Sequence, residues 1–133
     1  MATTQEALQV TTIMPSLTCD DLQKSIAFYE GLGFTVGERW EENGVLQGVM
    51  IGAGKTQLGL MQDDWKKGRD RKKGVGVRLF IATKQNVDEI AARAKSAGIK
   101  LQSEPHDTEW KTRAFEVTDP TGFLLTIGGE IPA

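Results

Sequence analysis

The stretch Asp21–Phe34 (DLQKSIAFYEGLGF) constrains the fold most, because it contains both ends of a helix and the start of a strand. Asp20 or Asp21 can accept the free N–H groups of the first helical turn. The apolar residues that recur at helical spacing on one side are Leu22, Ile26 and Tyr29. Gly31 or Gly33 can adopt the left-handed conformation that ends a helix. The stretch therefore predicts a capped amphipathic helix that leads directly into a strand.

A second copy of this pattern predicts that the chain consists of two similar halves. Asn86 or Thr83 can cap a helix at Val87–Ala97, Gly98 can end it, and Ile99 starts the next apolar segment. The two copies share little sequence identity but have the same order of helix, glycine and strand. A repeat of this length indicates a duplicated supersecondary unit.

Eight segments with the composition or alternation of strands complete the two halves. They are Thr11–Thr18, Phe34–Glu41, Val45–Ile51 and Thr56–Met61 in the first half, and Val75–Ala82, Ile99–Ser103, Thr112–Thr118 and Phe123–Ile127 in the second. The order is β-α-β-β-β twice, which predicts an α+β fold. We expect two curved sheets that form one cup, with the helices on the outer face and a concave groove inside. Residues 104–110 are expected to form a polar loop, and the residues from Gly128 onward a frayed end.

The chain is expected to form a single domain, residues 1–133, with a first module at about 9–62, a linker at 63–74 and a second module at about 75–128. Six basic residues in the linker would suit a phosphate or nucleic-acid patch, but three aspartates dilute them. Because blocks of charge are usually solvated, we favour a solvated, mobile connection. Trp65 within it is a candidate lid.

Composition excludes several classes of function. The net charge of −2 gives no electrostatic reason to expect nucleic acid as a partner. No apolar run is long enough for a transmembrane helix, and the first ten residues lack the features of a signal peptide, so we expect no membrane partner and a cytoplasmic location. The single cysteine and single histidine rule out an internal disulfide, a cysteine-rich zinc site and an imidazole-rich metal site within one chain.

Three motifs together resemble the vicinal oxygen chelate superfamily, which includes glyoxalase I, extradiol dioxygenases and the fosfomycin and bleomycin resistance proteins. They are D-L-x-x-S-x-x-F-Y at Asp21–Tyr29, L-G-F at Leu32–Phe34 and D-P-x-G at Asp119–Gly122. Glu104-Pro105, Trp110 and Arg113–Val117 resemble the bleomycin resistance subset. The resemblance implies a cup built from two βαβββ modules, a homodimer and a ligand site inside the cup.

The metal enzymes of this superfamily hold their ion at four strand positions, which correspond here to Met14, Gly59, Val77 and Thr126. None of these residues is a good ligand, since divalent ions need carboxylate, imidazole or thiolate donors. A shift of one position supplies no carboxylate or imidazole either; the neighbours are Ile13, Pro15, Leu58, Leu60, Gly76, Arg78, Leu125 and Ile127. We therefore expect no metal ion and no other cofactor.

Strand alternation from these positions predicts which residues line the groove. They are Met14, Ser16, Gln57, Gly59, Met61, Val77, Leu79, Ala114, Glu116, Leu124 and Thr126. Trp40, at the end of a strand, and Trp110, before a groove strand, are further candidates because aromatic rings stack on flat or cationic ligands. Such a lining is largely apolar with a few hydrogen-bonding groups, which suits an organic molecule.

Each candidate for chemistry has a simpler alternative. Glu116 is a weak candidate for a general base in the groove, or it pairs with a nearby arginine or lysine on the sheet surface. His106 could shuttle protons, although a solvated loop position is the simpler interpretation. Cys19 could be a nucleophile near a helix N-terminus, or an ordinary residue at a strand end. We favour the simpler interpretation for all three.

The sequence thus supports three hypotheses. The first is metal-independent binding of a small, largely apolar or aromatic, and in some cases cationic, molecule, as in proteins of the bleomycin resistance type. The second is an enzyme of the same superfamily, a lyase, isomerase or dioxygenase, that uses a metal or acid–base chemistry at Glu116. The third is a purely structural or interaction module. A fold alone does not decide among them.

Overall fold

The computed structural model of the chain describes residues 6–132. The first module contains β1 (Ser16–Cys19), α1 (Leu22–Leu32), β2 (Thr35–Glu42), β3 (Val45–Ala53) and β4 (Thr56–Gln62). The second contains β5 (Arg78–Ala82), α2 (Val87–Ser96), β6 (Ser103–Asp107), β7 (Thr112–Thr118) and β8 (Leu124–Glu130). The α+β class and the tandem βαβββ arrangement predicted from the sequence are confirmed.

Each module forms one mixed four-stranded sheet, and the two sheets have the same topology. The strand orders are β1-β4-β3-β2 and β5-β8-β7-β6. The first strand of each module runs parallel to the last, and the other neighbouring pairs are antiparallel. The strand that opens each module therefore lies at a sheet edge.

Helix α1 is fixed by side-chain and backbone caps at its two ends. The Asp21 carboxylate accepts the backbone N–H of Lys24 at 3.2 Å, which decides the N-cap in favour of Asp21 over Asp20. Gly33 ends the helix with φ at 110°, and its N–H reaches the carbonyl groups of Glu30 and Tyr29. A residue with a Cβ would be strained in this left-handed conformation.

Helix α2 begins at an asparagine cap and is locked to its own sheet by an arginine. Asn86 Oδ1 accepts the N–H of Glu89 at 3.1 Å, so Asn86 rather than Thr83 is the cap. In the first turn, both oxygens of Asp88 accept from the guanidinium of Arg113 on β7 at 2.8 and 2.9 Å. This two-bond geometry is the strongest form of a carboxylate–arginine pair.

The hydrophobic core runs through both modules rather than being divided between them. Helix α1 packs on its own sheet and also contacts α2. Gly31 permits this approach, since a Cβ there would lie 2.9 Å from Ala97 Cβ and from Ile99 Cδ1. The fully buried Tyr29 donates its hydroxyl hydrogen to Asp119 Oδ2, in the β7–β8 turn, at 2.8 Å. Helix α1 therefore contacts both modules and helps to stabilise the second.

Several predicted strand boundaries are wrong. Strand β1 begins at Ser16 instead of Thr11, and β5 begins at Arg78 instead of Val75. Strand β6 covers Ser103–Asp107 instead of Ile99–Ser103, so the loop expected at residues 104–110 is largely strand, because a solvent-facing edge strand needs few apolar residues to pair. The predicted frayed end is also wrong, since Gly128 and Gly129 pair within β8.

The linker contains buried charged groups, so the expectation of a solvated connection is wrong at Asp63 and Lys73. Asp63 is 6% exposed and accepts from Arg71 at 3.2 Å and from Lys73 at 2.8 Å. Lys73 also pairs with Asp20, just before α1. These contacts tie the end of the linker to the first module.

The same segment is tied to the second module by close backbone packing. Gly74 lies against the β7–β8 turn, where a Cβ would come within 2.3 Å of the Gly122 carbonyl oxygen. Both glycines have positive φ angles, 82° and 123°. Trp65 lies earlier in the linker, with Arg69 and Lys73 at 4.8 and 4.7 Å from its ring centre. The linker thus contacts both modules near their junction.

No helix within residues 6–132 has the length and apolar character needed to cross a bilayer.

Candidate functional site

Each sheet has one face packed against a helix and one face free of helices, which we call its open face. In the first module, the buried residues Leu17, Val49 and Leu60 mark the helix side. Residues that alternate with them belong to the open face. The register there places Thr18, Met61, Gly48 and Trp40 in one row and Ser16, Gly59 and Met50 in the next.

An aromatic and sulfur-containing surface forms the centre of this first open face. The Trp40 indole lies directly over Gly48, where a Cβ would come within 2.6 Å of its ring atoms and 2.7 Å of Met61 Sδ. Sulfur in contact with an aromatic ring is favourable and adaptable in shape. The absence of a side chain at Gly48 is therefore what lets Trp40 and Met61 meet.

A surface cavity of about 460 Å³ opens at the edge of the same face. Its lining combines the segment before β1 with the β3–β4 turn and the start of β2. Met14 and Gln57, both predicted as groove residues, are among the lining residues. The predicted residues Ser16, Trp40, Gln57, Gly59 and Met61 thus belong to the open face, with Met14 beside it.

The open face of the second module has a different chemistry. One row runs across all four strands and consists of Phe80, Thr126, Glu116 and Ser103. Arg78 and Leu124 form the next row. Phe80 is 60% exposed and lies over Gly128, where a Cβ would be 3.3 Å from its ring. This face therefore carries charge beside an uncovered aromatic ring.

The placement of Leu79 in the groove is wrong. Leu79 pairs with Leu125, which is fully buried on the helix side, and it packs against the core. Its neighbours Arg78 and Phe80 occupy the open face instead. Three large side chains follow one another at 78–80, so alternation alone does not fix which of them point inward. Val77, predicted with Leu79, lies before β5 and is exposed.

Glu116 is the carboxylate at the centre of the second open face. Its Oε2 lies 3.6 Å from Arg78 NH2 and 3.5 Å from Thr126 Oγ1, and its backbone N–H donates to Ser103 Oγ at 3.0 Å. Its side chain is 28% exposed. The pairing with an arginine matches the simpler of the two interpretations drawn from the sequence.

The remaining candidates lie outside the two open faces or at the edge of one of them. Trp110 is 78% exposed at the β6–β7 turn, outside both open faces. His106 pairs with Ala114, which places it on the outer strand of the second open face, with Nδ1 2.8 Å from the Glu104 carbonyl oxygen. Cys19 is fully buried, and burial raises the pKa of its thiol, which opposes a nucleophilic role.

The donor chemistry at the four superfamily metal positions does not fit a divalent ion. Met14, Gly59, Val77 and Thr126 offer no carboxylate, imidazole or thiolate. Across residues 6–132, no group of three or more His, Cys, Asp or Glu side chains is arranged to hold an ion. The nearest acidic group on the second open face, Glu116, faces Arg78 instead.

The two open faces belong to separate sheets, because each four-stranded sheet is formed within one module. Within the described part of the chain, no hydrogen bond or ion pair joins a residue of one open face to a residue of the other. Contacts between the modules run through α1, α2, the linker and the β7–β8 turn. The described contacts between the modules therefore lie outside the two open faces.

Three solved structures show the extent of the structural similarity. TioX from Micromonospora sp. ML1 matches with a TM-score of 0.73 at 17% identity, over 92% of this chain and 100% of that chain. A glyoxalase/bleomycin resistance protein/dioxygenase from Nocardioides matches at 0.70 and 20%, over 96% and 88%. A lactoylglutathione lyase from Agrobacterium tumefaciens matches at 0.64 and 21%, over 90% and 94%. At these identities the similarity shows the fold alone.

Sequence comparison gives a more specific result. No functionally curated protein matches the chain significantly. A family model described as the Glyoxalase/Bleomycin resistance protein/Dioxygenase superfamily matches residues 9–127. This match extends over both modules and confirms the resemblance drawn from the sequence motifs. The chain belongs to the Glyoxalase/Bleomycin resistance protein/Dioxygenase superfamily.

Proposed function

We propose that this protein binds a small, largely apolar or aromatic organic molecule without a metal ion, in the manner of the bleomycin resistance branch of its superfamily. The observation that carries the proposal is the residue set Met14, Gly59, Val77 and Thr126 at the four metal positions. Side chains of this kind bind organic surfaces and do not activate a metal-bound oxygen. A role in antibiotic resistance by sequestration is consistent with such binding.

The first open face supports an aromatic ligand. Trp40, Met50 and Met61 provide a flat, polarisable surface that is only partly covered in the single chain. Ser16 and Gln57 add hydrogen-bonding groups at its margin. Pockets that bind organic molecules combine apolar walls with a few polar groups in this way.

We further propose that the protein acts as a homodimer in which each copy covers an open face of the other. Large apolar side chains are exposed in the segments that precede the edge strands β1 and β5; they are Leu8, Val10, Ile13, Met14, Val75 and Val77. Exposed apolar residues at an open sheet edge indicate an association surface. A second copy would bury this surface and enclose the ligand.

Metal-independent binding is tested with two measurements on the full chain. Titration calorimetry with Ni²⁺, Mn²⁺ and Zn²⁺ at neutral pH is expected to show no stoichiometric tight binding, which would otherwise overturn the metal-free proposal. A thermal-shift screen of aromatic compounds in the presence of a chelator is expected to give hits. If the protein is a monodisperse dimer that no compound stabilises, a structural or interaction role replaces ligand binding.

The position of the site is tested with one variant and one control. Trp40→Leu is expected to weaken binding of an aromatic hit at least about ten-fold, because it removes the stacking surface. Val45→Ala removes an exposed apolar side chain at the tip of the β2–β3 hairpin and is expected to leave affinity unchanged. Equal affinities for the wild type and Trp40→Leu would place the ligand elsewhere.

An enzyme of the same superfamily is the second candidate function, and the position of Glu116 favours it. This carboxylate is half-buried on an open face, where it could exchange a proton with a bound molecule. Any turnover found in a metal-free preparation should then be lost in Glu116→Gln. Unchanged turnover in that variant would remove the acid–base version of this candidate.

A further inference from the structure

We propose that Arg78 binds an oxyanion of the ligand, so that the molecule recognised by the second open face is an aromatic carboxylate. This inference rests on the proposed function, because it assumes that a small molecule binds the open faces. It adds the polar chemistry of that molecule and the residue that selects it.

The sheet register places the guanidinium on the open face beside an aromatic ring. Arg78 and Phe80 are two residues apart on β5, so their side chains leave the same face about 7 Å apart. The guanidinium extends across β8 towards Glu116 on β7. A carboxylate on a ring that stacks on Phe80 would therefore lie within reach of Arg78.

The existing ion pair leaves most of the guanidinium available. Its closest approach to Glu116 is 3.6 Å, longer than an ordinary charge-assisted hydrogen bond, and the Arg78 side chain is 62% exposed. A guanidinium has five N–H donors in a planar fork that matches a carboxylate with two parallel bonds. A ligand carboxylate could thus form the close bidentate contact that Glu116 does not.

The balance of charges favours an anion over a cation at this place. Glu116 already faces Arg78 and the Thr126 hydroxyl, which reduces its capacity to bind a further cation. Glu116 is therefore a weak internal competitor for the guanidinium, and the charge offered to the ligand is that of Arg78.

Phe80 provides the complementary apolar part of the subsite. Phe80 is 60% exposed, and its ring lies over Gly128. A stacked ring would cover this surface and dehydrate the neighbouring guanidinium, which strengthens its contact with a carboxylate. A flat acid satisfies both groups, whereas a flat alcohol or amine satisfies only the ring.

The test compares three probes that differ in one group, 2-naphthoate, 2-naphthalenemethanol and 2-naphthylmethylammonium. Calorimetry on the full chain in low salt is expected to show the acid binding at least ten-fold more tightly than the alcohol, and the amine no better than the alcohol. Arg78→Gln should abolish the preference for the acid while leaving alcohol affinity within two-fold. Arg78→Lys should retain part of it, since lysine keeps the charge without the fork.

Two further variants test the competition from Glu116 and control for net charge. Glu116→Gln is expected to tighten acid binding several-fold, because the guanidinium loses its internal competitor. Lys84→Gln removes an exposed positive charge in the β5–α2 loop and should change none of the affinities, which controls for net charge.

The outcomes separate this inference from the proposed function. If the alcohol binds and charge on the probe or loss of Arg78 makes no difference, the inference is wrong and small-molecule binding stands. Tighter binding of the amine than of the acid also overturns it. If none of the three probes binds the wild type at millimolar concentration, both the inference and aromatic binding by these faces are rejected.

Discussion

The two modules have the same topology but different open faces. In the first, Trp40 is held on Gly48 against Met61, and the surface is apolar and rich in sulfur. In the second, Phe80 remains uncovered beside the Arg78–Glu116 pair. The sheet register creates the same positions twice, and a few side chains at those positions decide the chemistry. A duplicated fold can thus carry two chemically unlike surfaces.

The largest loss of stability is expected when Asp119, which links the two modules, is replaced. Its Oδ1 accepts three backbone N–H groups in the β7–β8 turn, each at 2.9 Å, and its Oδ2 accepts the Tyr29 hydroxyl. Asp119→Ala should lower the free energy of unfolding by about 3 kcal/mol, since several buried donors lose their acceptor. Denaturant unfolding measures this loss.

The matched control for Asp119 is Tyr29→Phe. It removes the bond between the modules but keeps the turn, and should cost about 1.5 kcal/mol. If both variants unfold like the wild type, the turn does not link the two modules energetically.

A smaller loss of stability is expected when the glycine beneath each aromatic ring is replaced. Gly48→Ala should cost about 2 kcal/mol, because its Cβ would overlap the Trp40 ring at 2.6 Å and displace it. Gly128→Ala should cost less than about 1 kcal/mol, since its contacts begin at 3.3 Å and Phe80 is free to move. Denaturant unfolding and tryptophan fluorescence follow both variants. Equal costs would show that the first aromatic ring is no more tightly held than the second.

A smaller effect is expected from the helix caps. Asp21→Ala and Asn86→Ala each remove a side-chain acceptor from a first-turn N–H and should cost about 1 kcal/mol. Asp21→Asn and Asn86→Asp keep an acceptor and should retain most of the stability. A negligible cost in only one helix would indicate that packing of that helix makes its cap dispensable.

The smallest predicted effect is a dependence of stability on acid pH. Lys73 lowers the pKa of Asp63 below its usual 3.8, and Arg113 does the same for Asp88. A lowered pKa in the folded state contributes stability that is fully present above pH 4 and is lost as pH falls through the folded-state pKa. Asp63→Asn and Asp88→Asn should therefore each flatten the decline of the melting temperature between pH 4 and pH 2. A decline identical to that of the wild type would contradict this origin.

The helices and most strands are predictable from the sequence because the residues that begin and end each element lie within it or next to it. The sequence narrowed both N-caps and the end of α1 to two candidate residues each, and the structure selects Asp21, Asn86 and Gly33. The Asn43-Gly44 turn, with both φ angles positive, is equally local. Strand β6 was predicted four residues too early, at Ile99–Ser103, because its own polar residues have no apolar period.

The candidate site was less predictable because it depends on register between distant strands. The run Leu79-Phe80-Ile81 is apolar throughout, so only its pairing with β8 shows that Phe80 belongs to the open face. The sequence indicated an arginine or lysine partner for Glu116 but did not identify Arg78. The two residues lie on β5 and β7, which are separated by β8 in the sheet. No local sequence pattern indicates such a pair.

The contact of Gly74 with Gly122 has a consequence for how the chain tolerates change. At that point two backbones touch without side chains between them, and Lys73 beside it is bound by two carboxylates. Added residues would separate these groups if placed at 71–74, whereas the exposed positions Lys66 and Lys67 lie outside this contact. A tag, a fluorescent label or a second domain is therefore best inserted between those two lysines, where the connection between the modules can lengthen without loosening their junction.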